Sequence, residues 1–314
     1  MNLKNKINGA VRVLSAVSAT LAMGAIPARA VEAPASATAP QRGGLIEPAT
    51  PEAGLTCGLV TLDAFDNDSL RRPLQAYRCY PAGKVANAPV LLFEPMIIGM
   101  CAPIHQDMVR RIAQQGFYVI MPNLPGRHHV NACTEPFDDG DPNGHSIVHD
   151  MVAFPNEAEQ YLDLLAGQTF AIKEGASATK LGMVGYDGGG RTAYKFTARN
   201  PKVLAGVSFS GPIESNYQIT IPDLFESRPS PLDLAYKGLF KGRMMGLYGD
   251  DDGQAPVAHI ERMKKALIEG GDTQSRIMVY PKAGHGIISD FRRPTSQPAF
   301  DEAIKWLKGH GLTY

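Results

Sequence analysis

The sequence offers no net charge: its 31 Lys and Arg balance its 31 Asp and Glu over 314 residues. That balance gives no electrostatic reason to expect nucleic acid or an anionic membrane as partner. Long apolar runs are missing as well, and the one at residues 13–26 is too short to span a bilayer. Neither an internal repeat nor a second domain can be read. Cysteine is sparse, at four residues, and none of them stands at the sharpest bend of the chain. What remains is a chain 44% hydrophobic, long enough to bury one large core.

Residues 1–30 read as a signal peptide. Lys4, Lys6 and Arg12 precede the apolar run, and Ala28-Arg29-Ala30 fits the small-x-small cleavage rule. No cysteine near the cut suggests a lipid anchor. Residues 31–53, rich in Ala, Pro and Thr, read as a flexible leader, and residues 54–314 as the folded domain. The expectation is export to the periplasm or medium, with no stable membrane association after cleavage. An oxidising compartment favours pairing of Cys57, Cys79, Cys101 and Cys133. Four cysteines allow three connectivities, and sequence alone does not choose among them. The reading preferred is Cys57–Cys79 across a hairpin and Cys101–Cys133 between two loops near the site, with four buried thiols as the alternative to pairing.

Residues 59–62 and 74–80 read as strands around a polar loop at 63–72, and the apolar run 90–93 as a strand buried on both faces. Further strands are expected at 117–121, 181–184, 206–210, 243–248 and 276–280. Helices are expected at 104–115, 147–166 (interrupted near Pro155), 192–198, 259–269 and 299–310. Residues 122–144 read as loop and 212–242 as an irregular, Pro-rich segment. Strands alternating with helices imply an α/β fold, a mostly parallel sheet with helices on both faces.

Within this frame, Gly185-Tyr186-Asp187-Gly188-Gly189 sits between a strand and a helix. That is the layout of the nucleophile elbow, usually written G-x-S-x-G, with Asp187 where Ser or Cys is usual. In the α/β-hydrolase layout an acid and then a histidine follow, each just past the carboxyl end of a strand. The strand at 243–248 leads into Asp250-Asp251-Asp252, and the one at 276–280 leads into Gly284-His285-Gly286. The candidate set is Asp187, Asp252 and His285, with Asp250 and Asp251 as alternatives for the acid.

Phe93-Glu94, residues 116–122, the elbow through Arg191, Ala283-Gly284-His285-Gly286 and residues 290–294 together resemble the dienelactone hydrolase family, over roughly residues 90–310. The resemblance implies a compact α/β-hydrolase without a large cap, acting on esters or lactones, with a small-molecule substrate and no cofactor. It places the acid four residues before Pro256, at Asp252, and matches Glu94 to the family's glutamate beside the nucleophile. Two departures stand out: Asp187 replaces the family's cysteine, and Ser289 replaces the arginine that helps hold the dienelactone carboxylate. The dienelactone substrate is therefore not carried over. The elbow is also similar to that of haloacid dehalogenases and epoxide hydrolases.

A carboxylate needs no base to act as a nucleophile at neutral pH. Attack on carbon bearing halide, or on an epoxide, would give an alkyl ester of Asp187, which His285 and Asp252 would hydrolyse by activating water. Ester cleavage would instead use Asp187 as a base. The Gly188 amide and that of Met96 or Ile97 would form the oxyanion hole, since Pro95 has no N–H. Glu94 and Tyr186 are expected to line the site, Tyr186 as packing, and Arg191 to anchor the elbow helix. The alternatives are a non-catalytic binding protein on this fold, or a metal hydrolase using His128, His129, His145 and His149 with Asp138, Asp139 and Asp141. A monomer or small homo-oligomer is expected.

Overall fold

Four strands are buried along their whole length: β3 (Val90–Glu94), β4 (Tyr118–Pro122), β5 (Leu181–Tyr186) and β7 (Met244–Gly249). Continuous apolar runs do this when a sheet is covered on both faces. The structure, a computed structural model, describes residues 54–65, 71–96, 99–100, 102–123, 157–214 and 229–314. The signal peptide and leader, Cys101, Cys133, Ile97 and the alternative metal residues all lie outside the described residues.

The remaining strands are β1 (Leu55–Phe65), β2 (Arg71–Pro81), β6 (Val203–Phe209) and β8 (Arg276–Tyr280). They form an eight-stranded sheet in the order β1-β2-β4-β3-β5-β6-β7-β8. β2 runs antiparallel to β1 and to β4, and the other neighbours are parallel. Cys57 lies opposite Cys79 in the β1–β2 register, with Cα atoms 4.0 Å apart, and the two form a disulfide.

One face of the sheet packs on α1 (Pro103–Gln114) and α6 (Ser296–Gly309), through Leu91, Phe93, Val119 and Val207. The other packs on α2 (Glu157–Lys173) and α3 (Gly188–Arg199), through Val90, Leu92, Ile120 and Met183. Beyond α3, α4 (Pro231–Tyr236) and α5 (Val257–Glu269) cover β7 around Met244 and Tyr248.

Several boundaries differ from the sequence reading. α4 forms within the segment read as irregular, because Ser230 and Asp233 make a reciprocal capping box and Pro231 suits a first helical turn. Residues 215–228 of that segment lie outside the described residues. α2 continues past residue 166 to Lys173, and Gly167 sits against Ile120, Pro122 and Leu92, so the glycine serves close packing there and does not stop the helix. α6 starts before Pro298, which the first turn tolerates because its N–H would be unpaired there anyway.

In the sheet order β3 lies between β4 and β5, so the chain leaves β3 toward one side and later passes β5 toward the other. Crevices for ligands open at the carboxyl ends of strands at such a switch point. Here those ends are Glu94 and Gly185, which are paired in register.

Candidate active site

Asp187 follows β5 directly and caps the N-terminus of α3, with φ 55° and ψ −120°. This conformation is uncommon for a residue with a side chain, and such strain persists only where the surroundings enforce it. The enforcement is visible at Gly189: a Cβ there would lie 2.0 Å from the Glu94 carbonyl oxygen. Only glycine lets the end of β3 pass this close to the start of α3. The Asp187 amide donates to the Phe209 carbonyl at 2.9 Å, which fixes the bend from the β6 side.

The acid and the histidine come from neighbouring strand ends. A Cβ at Gly249 would fall 1.8 Å from the Ala283 carbonyl oxygen, so the loop after β7 can press directly on the loop after β8. The Asp251 amide donates to that same carbonyl. Of the three consecutive aspartates, Asp252 is the buried one and the one that reaches His285. Asp250 instead accepts from the Lys282 amide at 2.6 Å.

The three side chains form a line. His285 Nδ1 donates to Asp252 Oδ1 at 3.0 Å, and Oδ2 is 3.2 Å away. His285 Nε2 lies 3.1 Å from Asp187 Oδ1, an ion-pair contact bent away from straight hydrogen-bond geometry. The Asp252 side chain is fully buried, whereas those of Asp187 and His285 keep 12% and 20% of their surface accessible. The Asp187–His285 end of the line therefore meets solvent and the Asp252 end does not. Asp252 also accepts from the amides of Gln254 and Ala255.

Charge follows from this geometry. Burial alone would lower the pKa of His285, but contact with Asp187 and then with Asp252 outweighs it, pushing the imidazole up to about 9. The ring is thus an imidazolium at neutral pH, held between two carboxylates. Burial would raise Asp252, and the His285 contact together with the Gln254 amide and the Ser210 hydroxyl brings it below its ordinary value.

Gly188 is the first residue of α3, so its N–H has no partner within the helix. Met96 stands two residues past Glu94, on the segment that crosses Gly189, and is half-buried. Tyr186 is buried, with its ring 5.9 Å from that of His285 and roughly parallel to it. Burial and the charge of Asp187 push its phenol up to about 12. Glu94 faces away from the Asp187–His285 line, toward Thr192 of α3 and Asp163 of α2. It is buried, and desolvation raises its pKa well above the ordinary value. Arg191 is buried within the field of Glu157 at the start of α2, which also pairs with Lys195 at 2.8 Å. No group of three His, Cys, Asp or Glu is arranged to hold a metal ion among the described residues.

Sequence reasoning missed His105. It lies on the buried face of α1 with Met108, Val109 and Ile112, its ring edge-on to Tyr186 at 6.3 Å between centroids. The signal was available: i, i+3, i+4 and i+7 counted from residue 105 give this face.

Comparison with known proteins gives the context. The model of the dienelactone hydrolase family matches residues 74–309. A relative in Methylorubrum extorquens, provisionally named carboxymethylenebutenolidase, is 32% identical over 270 residues, covering 84% of this chain and 84% of its own. One from Yersinia pestis with the same provisional name is 28% identical over 268 residues, covering 83% and 91%. The solved structure of a provisionally named dienelactone hydrolase from Klebsiella pneumoniae has a TM-score of 0.65 at 23% identity, covering 81% of this chain and 98% of that one.

Proposed function

This chain belongs to the dienelactone hydrolase family and is a small-molecule hydrolase, and on that premise we propose that Asp187 is its nucleophile in a covalent, aspartyl-ester route. The fold is that of an α/β-hydrolase. The observation that carries the proposal is the strained elbow holding the Asp187 carboxylate 3.1 Å from His285 Nε2, with Asp252 behind the ring.

An Asp187 oxygen attacks a carbon bearing halide, or an epoxide carbon. The carbon–halogen or carbon–oxygen bond breaks and takes its electron pair with the leaving atom. Asp187 becomes a neutral alkyl ester, and His285 loses one of the two charges that kept it protonated. Its proton passes to solvent, or to the alkoxide of an opened epoxide. The freed Nε2 then accepts a proton from water as that water attacks the ester carbonyl carbon. The amides of Gly188 and Met96 receive the developing oxyanion. Collapse of the intermediate releases the alcohol and restores the carboxylate.

The family and the names of the relatives favour a second reading, hydrolysis of a small ester or lactone. In that route Asp187 acts as a base toward water, and no bond to the substrate forms. One experiment separates the two. Wild type, Asp187→Ala and His285→Ala are assayed on p-nitrophenyl esters, lactones, haloacetates and an epoxide. Any substrate that only wild type turns over is then run for a single turnover in ¹⁸O water. The covalent route puts the label into the Asp187 carboxylate, while the base route puts it into the product. Activity indifferent to both substitutions would sink both readings.

Export is part of the proposal. It is supported by the basic, apolar and small-x-small order of residues 1–30 and by the Cys57–Cys79 disulfide, a bond that persists in oxidising compartments. N-terminal sequencing of the secreted fraction is expected to begin at Val31. Retention of Met1 there would refute export by cleavage.

A further inference from the structure

A buried polar chain runs from α1 to the oxyanion side of the site. His105 Nδ1 donates to the Gly99 carbonyl at 2.6 Å. The Gly99 amide in turn donates to the Met96 carbonyl at 2.9 Å, and Gly99 adopts φ 76°. Met96 is the residue whose own amide the proposed mechanism uses. Next to His105, Gln106 Nε2 donates to the Met100 carbonyl at 3.4 Å, so two side chains of the first turn of α1 grip the same segment.

The far side of the imidazole has a different character. His105 is fully buried, and its Nε2 has no hydrogen-bond partner among the described residues. Burial pulls its pKa down to about 4, despite the opposing effect of the Gly99 carbonyl and the Asp187 charge. The ring is therefore neutral at neutral pH, with its one proton on Nδ1 toward the Gly99 carbonyl. A buried histidine held in one tautomer, its second nitrogen without a partner among the described residues, costs stability that an apolar residue would not. Something other than stability has to account for it.

We propose that His105 is a positioning residue for the oxyanion hole: it holds the Gly99 carbonyl and, through the Gly99–Met96 hydrogen bond, aims the Met96 amide. The inference rests on the reading that Met96 and Gly188 receive the oxyanion. It assigns α1 a part in catalysis that touches neither substrate nor nucleophile.

Two substitutions separate this from a packing role. The amide nitrogen of asparagine falls where Nδ1 does, and that of glutamine falls where Nε2 does. His105→Asn keeps the donor to Gly99, whereas His105→Gln removes it while leaving comparable bulk. The steady-state kcat and KM of both are measured on the panel substrate that wild type hydrolyses fastest, below the unfolding temperature of either variant. A misaimed oxyanion donor costs kcat about 10–100-fold. The expectation is that loss in His105→Gln with KM nearly unchanged, and rescue in His105→Asn to within about three-fold of wild type. Equal losses in both, no loss in either, a larger loss in His105→Asn, or a loss confined to KM would overturn the inference. If Asp187→Ala and His285→Ala abolish turnover while His105→Gln does not, this inference alone fails. If those two variants stay active, the reading beneath it fails instead.

Discussion

Replacing Asp187 by asparagine reproduces, in a stable protein, the charge state of the alkyl-ester intermediate proposed above. The substitution removes one of the two anions beside His285 and changes little else in shape. A carboxylate within about 4–6 Å shifts a histidine by roughly 1–3 in pKa, and Asp187 approaches to 3.1 Å. From about 9 in the wild type, the imidazole is expected to fall to roughly 6–8 in Asp187→Asn. Water activation would then have a free base at neutral pH, which the resting enzyme lacks. NMR titration of the imidazole carbons, with His285→Gln to assign the resonance among the eight histidines, reads both values directly. Stability supplies a second reading. The folded pKa of His285 stands above its unfolded value, so its contribution is fully present below about pH 6.5 and is lost as pH rises through about 9. The gap amounts to about 3 kcal/mol at 1.36 kcal/mol per pKa unit. Chemical denaturation across pH 6 to 10 is expected to show that fall in wild type and a smaller one in Asp187→Asn. A His285 pKa unchanged by the substitution would refute the two-carboxylate account and, with it, the timing of base release in the covalent route.

Three further outcomes follow from the geometry. Gly189→Ala forces a methyl group against the Glu94 carbonyl and is expected to cost about 3 kcal/mol or more; thermal unfolding within a degree of wild type would contradict the close approach. Glu94→Gln is expected to stabilise the protein at pH 7 and above. The raised folded pKa means that the unfolded chain gives up its Glu94 proton first, so stability drains away as pH rises from about 4.5, and the glutamine avoids that loss. Identical unfolding profiles between pH 4 and 8 would show that Glu94 is ionised in the fold. Loss of the Cys57–Cys79 bond, which links residues 22 apart in sequence, is expected to cost roughly 3 kcal/mol by loop entropy. Denaturation of wild type beside the double variant Cys57→Ser/Cys79→Ser, both without reductant, measures it, and equal stabilities would refute the contribution.

The elbow, the order of acid and histidine, and the alternating strands and helices were all legible because each is local. Glycine spacing, a strand followed by a turn, and periodicity are properties of a dozen consecutive residues. The reading ran short where a contact joined distant segments. Gly185 and Gly189 marked a bend, but the reason no other residue fits at Gly189, the Glu94 carbonyl, comes from a strand about a hundred positions earlier. Glu94 was matched to a place beside Asp187 by the resemblance to the dienelactone hydrolase family. Its side chain, however, alternates toward the α2–α3 face with Val90 and Leu92 and meets Thr192 and Asp163.

The sequence by itself determined that this is an α/β chain whose elbow carries a carboxylate, followed in order by an acid cluster and a histidine. That Cys57 stands on a strand opposite Cys79 was decided by the β1–β2 register, since the sequence reading began that strand only at residue 59. Which of three aspartates reaches His285 was decided only by the approach of the loop after β7 to the loop after β8, at Gly249 and Ala283. The tertiary structure likewise decided that His285 is charged at rest, because its pKa depends on two carboxylates brought in from positions 98 and 33 residues away. It decided too that a histidine on α1 grips the segment carrying Met96. Charge state and aim depend on distances of about 3 Å between groups far apart in sequence, and only the folded chain brings those groups together.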